Sequence, residues 1–541
     1  MNSANENQIL KARVKELESQ KNILHETAKK LESEKNILHE TAKKLEDEVI
    51  HLKEQVAALT LELYGPKSEK IKSDEKPEVF NEAESVPVDA NVPDAVIVVK
   101  SYNRKRSGRK GISAQIPREE CPHDISDEEK KCACGKMMKK IGEDRKEDLI
   151  IIPQQIKVKV HIYPKYACDP DCIAGEGIHP AVKRAPSIPT IIAKSMATAS
   201  LLAYIIISKF CDAIPFYRLE KIFLRIGVQL KRATMCNWTG KVHEKIKPVI
   251  DLMKKKLLES FLIGIDETTV QVLNEEGKKP QSKSWMWVFR GGTPEKPIIL
   301  FHYDPGRGHS VPEEYLKGYK GRIQSDGLSV YDALVKKTNY IHIGCWSHAR
   351  RKFYKVYKAT GKRKDGVAYE SLVLIWGLYK IEREIKYLPR EERTAIRQER
   401  SVPILLDLKK YLDKVQPEVP PEGELGKAIK YTKNEWEKLM RYTDDGDIPI
   451  DNNGVENAIR PFALGRKNWL FANTPDGAEA SSALYSLIET AKANGIEPHS
   501  YLNYVFEQIP LCKSEEDYEK LLPMNIDRTK IMPYAIPAGR G

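Results

Sequence analysis

Leucine recurs at positions 10, 17, 24, 31, 38, 45, 52 and 59, an unbroken seven-residue period. Taken as d positions, these leave Val14, Lys21, Ala28, Lys35, Ala42, Val49, Val56 and Leu63 at a, the seam of a coiled coil. The segment KNILHETAKKLE occurs twice, from Lys21 and from Lys35, and the two-heptad offset keeps the seam in phase. Lysine and alanine at a weaken the middle of the zipper. In a parallel pair Arg13 could meet Glu18, and Glu48 could meet Lys53. The alternative is a lone amphipathic helix, but so many unbroken repeats rarely arise without a partner, and a homo-oligomer is expected. Gly65 and Pro66 stop the helix. From Lys67 to about Asp94 the chain is acidic and poor in apolar residues, as a flexible linker is.

Beyond the linker, short strands and amphipathic helices take over. Residues 149–163 (LIIIPQQIKVKVHIY) read as β-strands. Residues 195–246 are helical, and PFYRLEKIFLRIGVQLKRATMCNWTGKV outlines a helix-turn-helix. Its first helix runs to about Ile226, its turn is at Gly227, and Lys231, Arg232 and Thr234 open the second. A recognition helix presents such N-terminal residues to bases and phosphates, although the same outline also serves plain packing. Residues 261–273, 284–290 and 297–303 read as three strands, a fourth ends at Asp326, and 340–345 is a fifth. Residues 352–437 are helical and charged, interrupted near 416–423, with Leu372, Leu374, Ile375, Leu378, Leu405, Leu406 and Leu408 as the expected core. A short helix that Asn453 could cap should end at Pro461, and helices at 479–493 and 498–509 close the chain.

These elements suggest a coiled coil (1–64), a linker with a basic run (65–115), a zinc-binding module (116–185) and a helix-turn-helix domain (190–250). A catalytic core follows in two parts (258–350 and 441–510), split by a helical insertion (351–440), and a tail (511–541) ends the chain.

Composition narrows the partners. Of 541 residues 31% are charged, and the formal net charge is +12. That suits a polyanion, without choosing nucleic acid over an anionic membrane surface. The start, MNSANENQ, has no signal-peptide pattern, and the longest apolar run, 201–207, is too short to span a bilayer. Nine cysteines, several in close pairs, fit metal binding in a reducing compartment better than disulfides. A cytoplasmic protein without a membrane partner is expected. The basic run YNRKRSGRKG offers Arg104, Lys105 and Arg106 to DNA phosphates, or is a solvated loop.

Cys132 and Cys134, then Cys168 and Cys172, flank the strands of 149–163, and a hairpin could bring four thiolates to one structural Zn²⁺. The gaps depart from the usual two residues. Cys121 or His123 could replace a ligand, and plain buried or free thiols are the alternative.

Three acids stand out. Asp266 shares parity with Leu262, Val270 and Val272, a largely apolar face on which an unpaired carboxylate is costly; a bound cation removes that cost. Asp326 follows the fourth strand. Glu456 lies on the helix after DNN, with Arg460 one turn on and the basic pair Arg466 and Lys467, expected DNA contacts, beyond; its bland reading is a capping box with Asn453. CWSHARRKF brings Cys345, His348, Arg350 and Arg351 close to the fifth strand, the two arginines as expected DNA contacts. Two potential ligands do not make a metal site, so His348 is read as hydrogen-bonding or DNA-positioning, or as a satisfied core histidine. Three carboxylates in this order match a ribonuclease-H-like arrangement. Hard oxygen ligands suit Mg²⁺ or Mn²⁺, and two such ions support in-line phosphoryl displacement by water or by a 3′-hydroxyl.

Through LYGPKSEK, the cysteine region, PFYRLEKIFLRIG, GIDET, QSDGLSVYDAL, CWSHARRKF, DNNGVENAIRP and GRKNWLFANTPDGAEASSALYSLIETAKANGIEP, the chain resembles a DDE transposase of the insertion-sequence-66 family. The resemblance implies an α/β multidomain fold: a ribonuclease-H-like catalytic core with an inserted helical domain, preceded by a coiled coil, a zinc-binding β module and a helix-turn-helix domain. It implies that Asp266, Asp326 and Glu456 are the catalytic triad, with magnesium bound; His348 and Arg460 are read from their placement as supporting residues. It implies double-stranded DNA as partner, both the element's terminal inverted repeats and target DNA, and small accessory proteins of the same element. Two other readings stay open: a zinc-containing DNA-binding regulator with a vestigial nuclease site, and a coiled-coil scaffold.

Overall fold

A computed structural model describes residues 3–64, 156, 158–166 and 183–531. Cys132, Cys134, Cys168 and Cys172, and the basic run with Arg104, Lys105 and Arg106, lie outside the described residues. The chain opens with one helix, α1 (Ser3–Tyr64). The two-residue strands β1 (Lys165–Tyr166) and β2 (Lys183–Arg184) pair antiparallel. Helices α2 (Ala199–Phe210), α3 (Phe216–Arg225) and α4 (Arg232–Leu257) precede strands β3 (Leu262–Gln271), β4 (Lys283–Gly292) and β5 (Pro297–Asp304). Then come α5 (Ser310–Tyr315), β6 (Arg322–Gln324), α6 (Ser329–Thr338) and β7 (Ile341–Ile343). A helical stretch follows, with α7 (Trp346–Ala359), α8 (Val367–Ile385), α9 (Arg390–Ile396), α10 (Val402–Val415), α11 (Glu424–Asn434) and α12 (Trp436–Met440). Helices α13 (Asn453–Trp469), α14 (Pro475–Ala493), α15 (Pro498–Gln508) and α16 (Glu515–Glu519) finish it.

The chain divides into two compact units. One holds α1 and Arg322–Asn453; the other holds β1 to α5 and the chain from Gly454 onward.

In the second unit β3, β4 and β5 form an antiparallel meander, with Asp266 opposite Val288 and Val288 opposite Phe301. Residues alternate between two covered faces. Ile263, Ile265, Phe289 and Leu300 are buried on one, Val288 and Phe301 on the other. The backbone of β5 is closed by α14. Ser486 Oγ accepts the Phe301 N–H at 2.8 Å, and Thr490 Oγ1 accepts the Ile299 N–H at 3.0 Å. Thr490 also donates to the Ile299 carbonyl at 2.8 Å, and Asn494 Nδ2 donates to that of Pro297 at 2.9 Å. The match is geometric: four residues of helix rise about 6 Å and two of strand about 6.7 Å. Outward backbone groups of a strand thus meet one helix face rather than another chain.

The helix-turn-helix outline is present as α3, a turn in which Gly227 takes φ +84°, and α4. Phe216, Leu219 and Phe223 of α3, with Met235, Trp238 and Val242 of α4, are buried. Helix α4 continues past residue 246, through Pro248, to Leu257.

In the first unit β6 and β7 pair parallel, from Arg322 opposite Ile341 to Gln324 opposite Ile343. Of the core expected for the helical stretch, Leu372, Ile375, Leu378, Leu405 and Leu408 are buried. Leu374 is only half-buried and Leu406 is exposed, both lying off the inward stripe of their helices. Arg397 is buried, bonded to both Glu382 carboxylate oxygens at 2.8 and 2.6 Å and to the carbonyls of Tyr442 and Asp445. On α1, Leu17, Leu24, Leu31, Leu38, Leu45 and Leu52 are 51–69% exposed, so the seam faces solvent in the single chain.

Two strand expectations change. Residues 158–163 carry no ladder among the described residues, and Val158, Val160 and Ile162 are exposed; pairing begins only at Lys165. The fourth strand stops at Gln324, because Asp326 Oδ1 turns to accept the Leu328 N–H at 3.3 Å and bends the chain away.

Replacing Thr490→Val removes both bonds to Ile299 while keeping the side chain's shape. Leaving that buried N–H and C=O without partners should cost about 1–3 kcal/mol, read as a lower thermal or urea midpoint. An unchanged midpoint would mean α14 does not hold the β5 backbone.

Candidate active site

Asp266 sits midway along β3, half-buried, its Oδ1 accepting the Glu267 N–H at 2.9 Å. Both faces of the strand bury apolar groups, Ile263 and Ile265 on one and Val270 and Val272 on the other. The carboxylate is therefore not stranded on a dry face as the parity suggested, but keeps access to water. A hydrated cation needs such an opening.

Glu456 lies in the first turn of α13, half-buried, with Arg460 exposed four residues on. The helix does not end at Pro461 but runs through it to Trp469. Proline there withholds an N–H from the turn before, at roughly 3 kcal/mol. Val455, Ala458 and Ile459 before it, and Phe462 and Gly465 after it, bury one continuous stripe that offsets this. The capping box is also corrected. Asn453 Oδ1 is buried with no hydrogen-bond partner among the described residues. Asp451 serves instead, Oδ1 accepting the Asn453 N–H at 3.1 Å and Oδ2 its side-chain amide at 2.8 Å.

Helix α13 is tied to β3 at its far end. Arg466 Nη1 donates to Thr268 Oγ1 at 3.2 Å, to Thr269 Oγ1 at 2.8 Å and to the Thr269 carbonyl. Just beyond, Ala472 pairs parallel with Val272, and the Ala472 N–H reaches the Gln271 carbonyl at 2.9 Å. At the near end, a Cβ on Gly454 would overlap the guanidinium of Arg290, which stands opposite Gly264. From Gly454 to Arg466 the helix rises about 18 Å; from Gly264 to Thr269 the strand runs about 17 Å. The helix thus lies along the strand, with Glu456 towards the half that carries Asp266. Arg466, read as a DNA contact from its charge, is a clamp between helix and strand, and burial lowers its pKa. Arg290, Thr268 and Thr269 carried no sequence signal.

Asp326 lies in the first unit, just past β6. Ser325 beside it shares a hydrogen bond of 2.8 Å with His342 Nε2. In the same unit Cys345 caps α7, and its Sγ accepts the Asn452 N–H at 3.2 Å. A ring nitrogen of His348 lies within 4.8 Å of that sulfur, and Nε2 is 3.4 Å from Arg351 Nη1. Arg350 is buried. Tyr379 donates to Asp451 Oδ2 at 2.8 Å; burial, and then the Asp451 charge, push its pKa well above the usual value, keeping this donor protonated. The DNN turn is thereby pinned from two sides.

Of the other residues expected to meet DNA, Lys231 and Arg232 are exposed at the start of α4, and Lys467 is exposed on α13. Lys467→Gln should lower the slope of log affinity against log salt for DNA by about 1, whereas Arg466→Gln should leave the slope unchanged and lower the melting temperature. The opposite pattern in a salt titration would restore Arg466 to the DNA surface.

Comparison with known proteins shows what the chain is similar to. A family described as the Transposase IS66 family matches residues 194–480, and the IS66 C-terminal element matches 486–524. The zinc-finger binding domain of transposase IS66 matches 129–172, a span that contains all four cysteines of the proposed zinc set. A family described as Transposase C of IS166 homeodomain matches 51–121. Among relatives, the uncharacterized protein y4qI of Sinorhizobium fredii is 32% identical, covering 77% of each chain. The uncharacterized protein y4jD of the same organism is 31% identical over 88% of this chain and 94% of its own. Among the described residues no helix is long and apolar enough to cross a membrane. With more than half its length matched by one family and near full-length relatives beside it, the chain belongs to the IS66 transposase family.

Proposed function

We propose that this transposase cuts DNA at the ends of its own mobile element and joins the freed ends to target DNA, with Asp266, Asp326 and Glu456 as its metal-holding acids. The observation that supports this most is the laying of α13 along β3, which brings two of the three acid-bearing elements into one unit across nearly the whole catalytic region. The donors fit the ion: carboxylates with access to water are the hard oxygen ligands that Mg²⁺ or Mn²⁺ takes. When bound, a pair of such ions would activate the entering oxygen and stabilise the leaving one. The chain's own groups hold and orient. Asp266 and Glu456 sit on elements fixed by backbone hydrogen bonds, and Tyr379 with Asp451 fixes the turn before Glu456. His348 and Arg460 act in support.

Around this centre, Zn²⁺ held by Cys132, Cys134, Cys168 and Cys172 would stiffen the module at 129–172, in line with the zinc-finger match. Lys231 and Arg232 at the mouth of α4, together with Arg351, Lys467 and the run of Arg104, Lys105 and Arg106, would meet phosphates. The exposed leucines of α1 favour a second copy as the zipper's partner.

Asp266→Asn, Asp326→Asn and Glu456→Gln should each abolish Mg²⁺-dependent nicking of element-end DNA while leaving end binding intact. Full activity in any of the three would remove that residue from the triad. Wild-type binding with no cleavage under any divalent metal would instead leave a DNA-binding regulator. For the zipper, replacing Leu24, Leu31 and Leu38 by Lys should convert an oligomer to a monomer in light scattering; a wild-type chain already monomeric at micromolar concentration would sink the assignment.

A further inference from the structure

Arg290 stands on β4 directly opposite Gly264, two residues from Asp266 along the neighbouring strand. Residues opposite one another in an antiparallel pair share a face, so this side chain leaves the sheet on the side of Asp266. It ends against α13, filling the space that a Cβ on Gly454 would take, two residues before Glu456. The guanidinium therefore lies between the strand of one acid and the helix turn of the other, all within one unit.

Its surroundings are unusual for a structural arginine. Burial alone lowers its pKa, with no anionic group acting against that loss of solvation. Among the described residues it makes no ion pair and no hydrogen bond, unlike Arg397, which is spent on Glu382 and two carbonyls. A partly desolvated guanidinium without a partner, set at the positive end of a helix, is unfavourable as it stands. An anion placed there would relieve both costs, and a planar fork suits a phosphate.

We propose that Arg290 is a further catalytic residue, taking the non-bridging oxygens of the scissile phosphate of DNA held beside Asp266 and Glu456. This rests on the triad reading above. In the step concerned, a water oxygen bonds to phosphorus while the bond from phosphorus to the 3′ oxygen breaks. The 3′ oxygen takes a proton to become a hydroxyl, the water gives up a proton to solvent, and a 5′-phosphate remains. Charge gathers on the phosphoryl oxygens during this exchange, and fixed donors aimed at such oxygens act mainly on the rate. Glycine at 454 leaves the room that Arg290 occupies.

The test uses the full chain, Mg²⁺ and an element-end duplex, with single-turnover nicking and DNA affinity measured separately. Arg290→Gln should lose about 10²-fold in cleavage rate, with affinity within about threefold of wild type, and Arg290→Lys should recover part of the loss. Gly454→Ala, which pushes on the guanidinium from the helix side, should slow the same step in a protein that still binds ends. With an uncharged methylphosphonate at the scissile position, the gap between wild type and Arg290→Gln should close. Cleavage by Arg290→Gln at the wild-type rate, or an equal loss on both substrates, would overturn the proposal. If neither protein cuts the methylphosphonate, the split between rate and affinity on ordinary DNA decides. If Arg290→Gln does not fold, Arg290→Lys and Gly454→Ala decide by the same split. Asp266→Asn in the same assay separates the two readings. Its activity would bring down the triad, whereas a dead Asp266→Asn beside a fully active Arg290→Gln would bring down only the role of Arg290.

Discussion

Thr269 and Arg466 are 197 residues apart in the chain, and one guanidinium nitrogen reaches both polar groups of Thr269 and the hydroxyl of Thr268 beside it. One of these bonds goes to a strand carbonyl and two to hydroxyls beside it. The parallel pairing of Ala472 with Val272 extends the same seam. A backbone group left without a partner inside a fold costs about as much as a lost hydrogen bond, a few kcal/mol at most, and the stretch after Gly454 supplies partners at two places. It satisfies β3 through Arg466 and Ala472, then β5 through Ser486, Thr490 and Asn494. Glu456 is carried to the strand of Asp266 as part of that arrangement. The position of an acid in the proposed site thus follows from the need to close strand backbones.

The same seam explains why α13 tolerates Pro461. A helix held only by its own ladder would break there. This one is fastened beyond the proline by Arg466 and before it by the pinned DNN turn, with Phe462 buried between. Long-range packing overrides a strong local preference when both flanks are anchored.

Cations divide by what they touch rather than by where they fall in the sequence. Arg466 and Arg397 satisfy carbonyls, Arg350 is buried, and Lys231, Arg232 and Lys467 reach solvent. A net charge of +12 says that a polyanion is welcome, not which side chains will receive it. For α1 the reverse holds. Its leucines are exposed in the single chain, and their strict heptad is the spacing of a coiled-coil seam.

Periodic and punctuating signals were readable from the amino acids alone: the long opening helix, the turn at Gly227 between α3 and α4, the three long strands, the helical stretch after β7 and the two closing helices. Each depends on neighbours within a few residues, through side-chain period, glycine conformation or proline geometry. The acids Asp266 and Glu456 were also visible as residues set in strand and helix. What the tertiary structure alone decided was the continuation of α13 through Pro461, the half-open setting of Asp266, the diversion of Arg466 to β3 and the placing of Arg290 against Gly454. Those outcomes turn on contacts between segments far apart in the chain, 197 residues for Arg466 and Thr269, and no local pattern encodes which distant backbone group a side chain will find.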